Sequence, residues 1–258
     1  MKIVKKSDRT SKLLGILEET ESVETDLLAS MLDVSVVTLR RDLKTLQEEG
    51  RVMVGYGFVR LIKDEVSESV DFSKRLRTNR EEKQKLAVEA IKHIKEGDVI
   101  FLDESSTCYV LATNLVRSFN SLHVITNAVH TLQALSSFRG LTVESSGGTL
   151  QYGFNSLIGP RAEQTLRNIY ANKFFFSCRA FREKEGTFEL SPFSASIKRI
   201  MLENSQENYL LMDHTKVGAI SPFPFAKTNE IDNLIVDKDI KGLPHGKVKR
   251  VTITEEFH

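Results

Sequence analysis

The sequence is short of cysteine, of long apolar runs and of net charge, and each shortage removes a class of protein. Its two cysteines, Cys108 and Cys178, lie far apart in 258 residues. Neither has a Cys or His at metal-ligand spacing, which excludes a zinc motif and a disulfide framework. Both sit in apolar stretches, where a free thiol behaves as a small core residue. None of the six histidines forms a His-x-x-x-His pair, so a metal hydrolase is not expected, and neither a metal nor a cofactor is expected. No apolar run approaches the ~18 residues that a membrane-spanning helix requires. Residues 1–9 hold no apolar signal core, so a cytoplasmic location with no membrane partner is expected.

Net charge is nearly absent: 36 Lys and Arg against 35 Asp and Glu give +1. Averaged over the chain, that argues against a nucleic-acid partner, because such domains are usually basic. The average hides a polarised start. Residues 1–12 carry Lys2, Lys5, Lys6, Arg9 and Lys12 against Asp8, and residues 18–33 carry six acids and no base. What the sequence does have is enough apolar content, 40%, to bury a core. Its length suggests two domains.

The texture changes near residue 62, predicting a first domain over 1–62, a linker over 63–80 and a second domain over 81–258. Residues 9–50 contain no proline and show apolar residues at helical spacing. Residues 63–83 are charged and poor in apolar anchors. Beyond them, β-rich runs at 99–103, 122–126, 141–144, 174–178, 209–213 and 234–236 alternate with helical patterns at 84–95, 107–118, 128–137, 160–170 and 195–205. Such alternation predicts an α/β fold with a mainly parallel, Rossmann-like sheet.

Three helices are expected in the first fifty residues. The first carries Leu13, Leu14, Ile16 and Leu17 on one side. The second follows Ser22 as N-cap and should bury Leu27, Leu28, Met31 and Leu32. After the tight connection Asp33-Val34-Ser35, a third runs from Val36 to about Glu49, capped by Ser35 and ended by Gly50. Leu39, Leu43 and Leu46 share one face of it, while Val37, Arg41 and Lys44 point away, flanked by Thr38 and Arg40. This is a helix-turn-helix layout. Arg40 or Arg41 would hydrogen-bond guanine edges and Val37 would touch a thymine methyl. Ser35, Thr38 and Lys44 would meet phosphates. On the helix pattern alone, a merely solvated basic face explains Arg40 and Arg41 as well. The stretch 51–62, with Gly55 and Gly57, reads as a β-hairpin, hence a wing.

The run Val34-Ser35-Val36-Val37-Thr38-Leu39-Arg40-Arg41-Asp42-Leu43, followed by Leu46 and Gly50, resembles the signature of the DeoR-family transcriptional regulators. The resemblance implies binding of double-stranded operator DNA, with Thr38, Arg40 and Arg41 in the recognition helix. It gives Asp42 the role of orienting an arginine or capping locally. In the wing, Val54, Tyr56 and Phe58 stand where the family has Arg, His and Gly. Tyr56 remains a candidate DNA contact.

In the second domain, the strand ending at Asp103 runs into Glu104-Ser105-Ser106-Thr107 and a helix. Hydroxyls and free N–H groups at a helix N-terminus suit an anion. Ligands of parallel α/β sheets bind outside the strand carboxyl ends. Thr126-Asn127 and the Gly147-Gly148 loop lie at equivalent places, and Lys173, Lys198 and Lys216 are available cations. Capping residues and solvated lysines explain each of these taken singly.

The resemblance covers this half too, through Glu82-Lys83, Ile100-Phe-Leu-Asp103, Thr126-Asn127, Gly147-Gly148, Gly159-Pro160-Arg161-Ala162-Glu163, Lys198-Arg199 and Asp213-His-Thr-Lys216. It implies an effector domain related in fold to ribose phosphate isomerases, a sugar-phosphate effector, repression of a carbohydrate-use operon, and a homodimer or homotetramer. The family's D-S-G-T-T is Asp103-Glu104-Ser105-Ser106-Thr107 here, which places an extra carboxylate beside the phosphate loop. The consequence is a changed effector, weaker phosphate affinity or a lost site. Two alternatives stand beside a ligand-responsive regulator: a constitutive DNA-binding protein whose second domain serves assembly, and a sugar-phosphate isomerase using Asp103, Glu104 and Lys216.

Overall fold

A computed structural model describes residues 6–20, 23–49, 51–55, 57–61 and 72–254. Contacts divide the chain into two compact units, residues 1–65 and 66–258.

The first unit holds helices α1 (Lys6–Glu19), α2 (Thr25–Met31) and α3 (Val36–Glu48), with strands β1 (Val23–Glu24), β2 (Val52–Val54) and β3 (Phe58–Leu61). The strands form one antiparallel sheet in the order β1-β3-β2. Three helices closed by a small sheet make a winged helix-turn-helix. Leu13, Leu17, Leu28, Leu39, Leu43, Leu46, Val52 and Val59 form its core. Asp33 takes φ 52°, the left-handed turn residue between α2 and α3. Ser35 caps α3 by accepting the Thr38 N–H at 3.2 Å.

The second helix differs from expectation. Leu27 and Met31 are 55% and 54% exposed, and Leu28, Ala29 and Leu32 turn inward instead. A seven-residue helix has room for one buried stripe, and Leu27 and Met31, four apart, share the opposite side. Glu24, not Ser22, holds the N-cap position of α2. Ser22, Gly50, Tyr56 and Ile62 lie outside the described residues, as do 63–71 of the expected linker.

The remainder of that linker is not one. Residues 72–77 form α4 (Phe72–Arg77), which belongs to the second unit. Buried Phe72 anchors it, stacked on His130 and edge-on to Tyr109. Then follow α5 (Arg80–Ile91), β4 (Val99–Leu102), α6 (Ser106–Leu115), β5 (Leu122–Thr126), α7 (Val129–Leu135) and β6 (Leu141–Ser145). Next come β7 (Thr149–Gln151), β8 (Ser156–Ile158), α8 (Pro160–Arg167), β9 (Ala171–Phe176), β10 (Ala180–Arg182) and β11 (Gly186–Glu189). The chain continues through α9 (Pro192–Glu203), β12 (Ser205–Met212), β13 (Phe223–Ala226), β14 (Asn233–Val236) and β15 (Arg250–Ile253).

Seven of these strands make one parallel sheet, ordered β15-β14-β12-β9-β4-β5-β6. Alternate side chains feed two separate cores. Phe101, Phe174, Phe176 and Leu210 pack with residues of α8 and α9, whereas Ile100, Leu102, Phe175 and Leu211 pack with α5, α6 and α7. Burial on both faces explains why these strands read as continuous apolar runs. From β4 the chain winds outward through β5 and β6, then returns to the other flank of β4 as β9. The boundary between β4 and β9 is therefore the topological switch point, where a crevice opens at the carboxyl ends. Two additions were not foreseen: the antiparallel sheet β10-β11-β13 and the hairpin β7-β8.

Candidate effector cavity and DNA-recognition surface

In the first unit, α3 presents Val37, Arg40, Arg41 and Lys44 to solvent, with Val37 71% exposed. Ser35 and Thr38 share a hydrogen bond between their hydroxyls at 2.9 Å. Asp42 points inward instead. It is buried and pairs with Arg9 of α1 at 2.6 Å, which ties the recognition helix to α1.

A cavity of about 460 Å³ occupies the switch point of the second unit. Its floor comes from three successive strand ends: Glu104–Thr107 after β4, 177–179 after β9, and Asp213, Thr215 and Lys216 after β12. Lys74 and Arg75 of α4, Thr78 and Asn79 of the following turn, and Lys83 of α5 add one wall. Phe154, Glu189, Leu190 and Lys198 complete the lining. Six cationic side chains thus face three carboxylates.

Each group has a local cause. Ser105 caps α6, accepting the Cys108 N–H at 3.1 Å, so Ser106 and Thr107 stand in the first helical turn at the cavity. Asn79, at φ 50°, donates to Asp213 Oδ1 at 2.9 Å. Lys83 donates to the carbonyls of Arg75, at 2.5 Å, and Thr78. Burial lowers its pKa to about 8. Burial also pushes the Arg75 guanidinium down, against the pull of Glu104, Glu189 and Asp103. Among the described residues, Arg75 Nε and Nη2 have no hydrogen-bond partner. They are buried donors beside a cavity that also holds the α6 N-terminus, a combination suited to an oxyanion.

Behind the floor, Lys198 donates to Ser177 O at 3.0 Å and to Glu189, and pairs with Asp103 at 2.9 Å. Burial opposes its charge, yet Asp103, Glu104 and Glu189 outweigh burial and hold its pKa well above the usual lysine value. Asp103 accepts the Ser105 and Ser177 N–H groups at 2.9 and 2.8 Å. Burial would raise the Asp103 pKa, but Lys198 and these bonds keep it below the usual value.

Of the expected effector residues, Ser105, Ser106, Thr107, Lys198 and Lys216 line the cavity, and Asp103 lies fully buried beneath it. The others do not reach it. Lys173 sits near the amino end of β9, paired with Asp98 at 2.6 Å. Thr126 Oγ1 accepts the Ala128 N–H, and Asn127 donates to Leu157 O. Gly147 and Gly148 shape the turn before β7. Gly148 has φ 108°, and a Cβ there would meet Ile158 O at 2.5 Å, so its glycine serves backbone packing. Cys108 and Cys178 are both free and buried. Among the lining residues not foreseen are Lys74, Arg75, Arg179 and Glu189.

Residues 9–65 match the DeoR-like helix-turn-helix domain, and residues 78–238 match the DeoR C terminal sensor domain. The chain belongs to the DeoR family of transcriptional regulators. It is 32% identical over 233 residues to the HTH-type transcriptional regulator GolR of Listeria innocua, covering 90% of this chain and 91% of that one. Identity to the L-fucose operon activator of Escherichia coli is 29%, covering 90% and 96% of the two chains. It is also 29% to the HTH-type transcriptional repressor GlcR of Bacillus subtilis, covering 90% and 88%. A solved ribose 5-phosphate isomerase from Methanocaldococcus jannaschii superposes on 54% of this chain and 55% of its own, with 17% identity and a TM-score of 0.41. That likeness is too slight to bear on chemistry. This DeoR-family protein is a DNA-binding regulator with a small-molecule sensor domain, not an enzyme. No described helix is long and apolar enough to cross a membrane.

Proposed function

We propose that the protein represses a carbohydrate-use operon and leaves its operator when a phosphorylated sugar fills the second unit's cavity. The observation that carries this reading is the pair of buried Arg75 nitrogens, Nε and Nη2, that have no hydrogen-bond partner among the described residues, beside the α6 N-terminus at the switch-point crevice. Arg75, Lys216 and the Ser105–Thr107 turn would hold the phosphate, and the remaining polar lining would take sugar hydroxyls. In the first unit, Val37, Arg40 and Arg41 would face bases, and Ser35, Thr38 and Lys44 phosphates. One short helix reads few bases, so a homodimer or homotetramer on paired half-sites is the expected assembly, acting in the cytoplasm. The effector must prefer the DNA-free arrangement, because only differential affinity shifts an equilibrium.

A mobility-shift titration on the upstream region of the protein's own operon tests the reading. Retention should fall steeply with salt, and a sugar phosphate should release the fragment. Retention that no sugar phosphate alters would point to the constitutive alternative. Arg40→Ala should weaken specific binding by ~1–3 kcal/mol and relax preference at the base it reads. An unchanged operator affinity would remove Arg40 from the recognition surface.

A further inference from the structure

We infer that the effector carries a positively charged amine as well as a phosphate: the cavity is built for an amino sugar phosphate, with the ammonium seated on Glu104. This rests on the sensing role proposed above for the same cavity.

Glu104 is 4% exposed and lines the cavity. Its Oε2 is buried and, among the described residues, has no hydrogen-bond partner. Its Oε1 comes only to 3.9 Å from Lys198 Nζ. Lys198 has nothing further to give. An ammonium has three N–H donors, and those of Lys198 go to Asp103, Glu189 and the Ser177 carbonyl. Three buried carboxylates therefore share one ammonium, and Glu104 is the one left over. Arg75 lies near enough to feel Glu104 electrostatically. Even so, no ion pair joins them among the described residues.

The cavity thus presents two unsatisfied groups of opposite sign that do not neutralise each other. A buried carboxylate oxygen without a donor is costly, and a charged donor compensates it best. A ligand hydroxyl would satisfy the lone pair but leave the Glu104 carboxylate without a cation in direct contact. An ammonium satisfies both, while Arg75 and the first turn of α6 take the phosphate at the other end. Where the family pattern has serine, Glu104 is what separates this cavity from a site for a neutral sugar ring.

Isothermal titration of the full-length chain with glucosamine 6-phosphate, glucose 6-phosphate and N-acetylglucosamine 6-phosphate decides the matter, with the galacto-configured set run in parallel. The free amine should bind at least about ten-fold more tightly than its hydroxyl counterpart, and acetylation should abolish that advantage. Glu104→Gln keeps the shape and removes the charge. It should reduce the preference, read as the ratio of amino sugar phosphate to hexose phosphate affinity, to about two-fold or less. If Glu104→Gln fails to fold, Glu104→Ser should show the same loss of preference. Equal or tighter binding of the hexose phosphate by the native protein overturns the inference while sparing phosphosugar sensing. A preference that survives loss of the Glu104 charge overturns it as well. Absence of binding by every phosphosugar tried overturns both.

Discussion

Lys198→Met should destabilise the sensor unit by about 3–5 kcal/mol at neutral pH. Lys198 is 1% exposed, and its ammonium is the cation held between Asp103 and Glu189. Without it, Asp103, Glu104 and Glu189 remain buried with no ammonium among them. Lys198 is what keeps the Asp103 pKa below its ordinary value. Glu189 is already raised, first by burial and further by Glu104 and Asp103. Removing the lysine moves the Asp103 and Glu189 folded-state values upward. A group whose folded pKa exceeds its unfolded value binds more protons when folded, so its contribution is present at low pH and lost as pH rises. The gap between variant and native protein should therefore widen from about pH 5 to pH 7. The native protein behaves oppositely at Asp103, whose stabilisation is lost on acidification. Denaturant titrations of both proteins at several pH values measure this. A pH-independent gap would show that Lys198 acts through packing alone.

Leu43→Ala should cost the first unit about 2–5 kcal/mol and abolish operator binding near 37 °C. Leu43 is 1% exposed and belongs to a core built almost entirely of small aliphatic clusters from α1, α2, α3 and the wing. A unit of 65 residues holds little stability in reserve, commonly no more than ~3–5 kcal/mol. The cavity left by one leucine is thus enough to unfold it. The two cores of the second unit share no residue with this one, so the melting of the sensor should persist. Calorimetry should show the smaller transition lost and the larger retained. Native operator affinity in Leu43→Ala would mean that this position is not where the unit's stability lies.

The recognition helix was readable because Leu39, Leu43 and Leu46 keep strict helical spacing and Ser35 supplies the cap. The parallel sheet was readable for a related reason: strands buried on both faces are continuous apolar runs, such as Phe174-Phe175-Phe176. Other features had no such signal. Leu27 and Met31 are as apolar as Leu28 and Leu32, and only the shortness of α2 decides which pair turns inward. Arg75 sits in a charged stretch whose two apolar anchors, Phe72 and Leu76, do not announce a helix. Glu189 reaches the cavity through an antiparallel sheet whose strands are three or four residues long, below the length at which alternation is recognisable. For Lys173 the signal was present and overlooked. It lies toward the amino end of its strand, and ligands gather at the other end.

The pairing of Lys83 with the Arg75 and Thr78 carbonyls bears on modular exchange. Similarity to the sensor family begins at residue 78, but Phe72, upstream of it, is already packed into the second unit. A chimaera that borrows this sensor from residue 78 onward would keep the three strand-end loops and leave behind Lys74 and Arg75. The buried ammonium of Lys83 would lose one of its two carbonyl acceptors at the same cut. A junction placed upstream of Phe72 transfers every described residue of the cavity lining. Lys74 and Arg75, upstream of the family match, line the cavity as fully as the strand-end loops do.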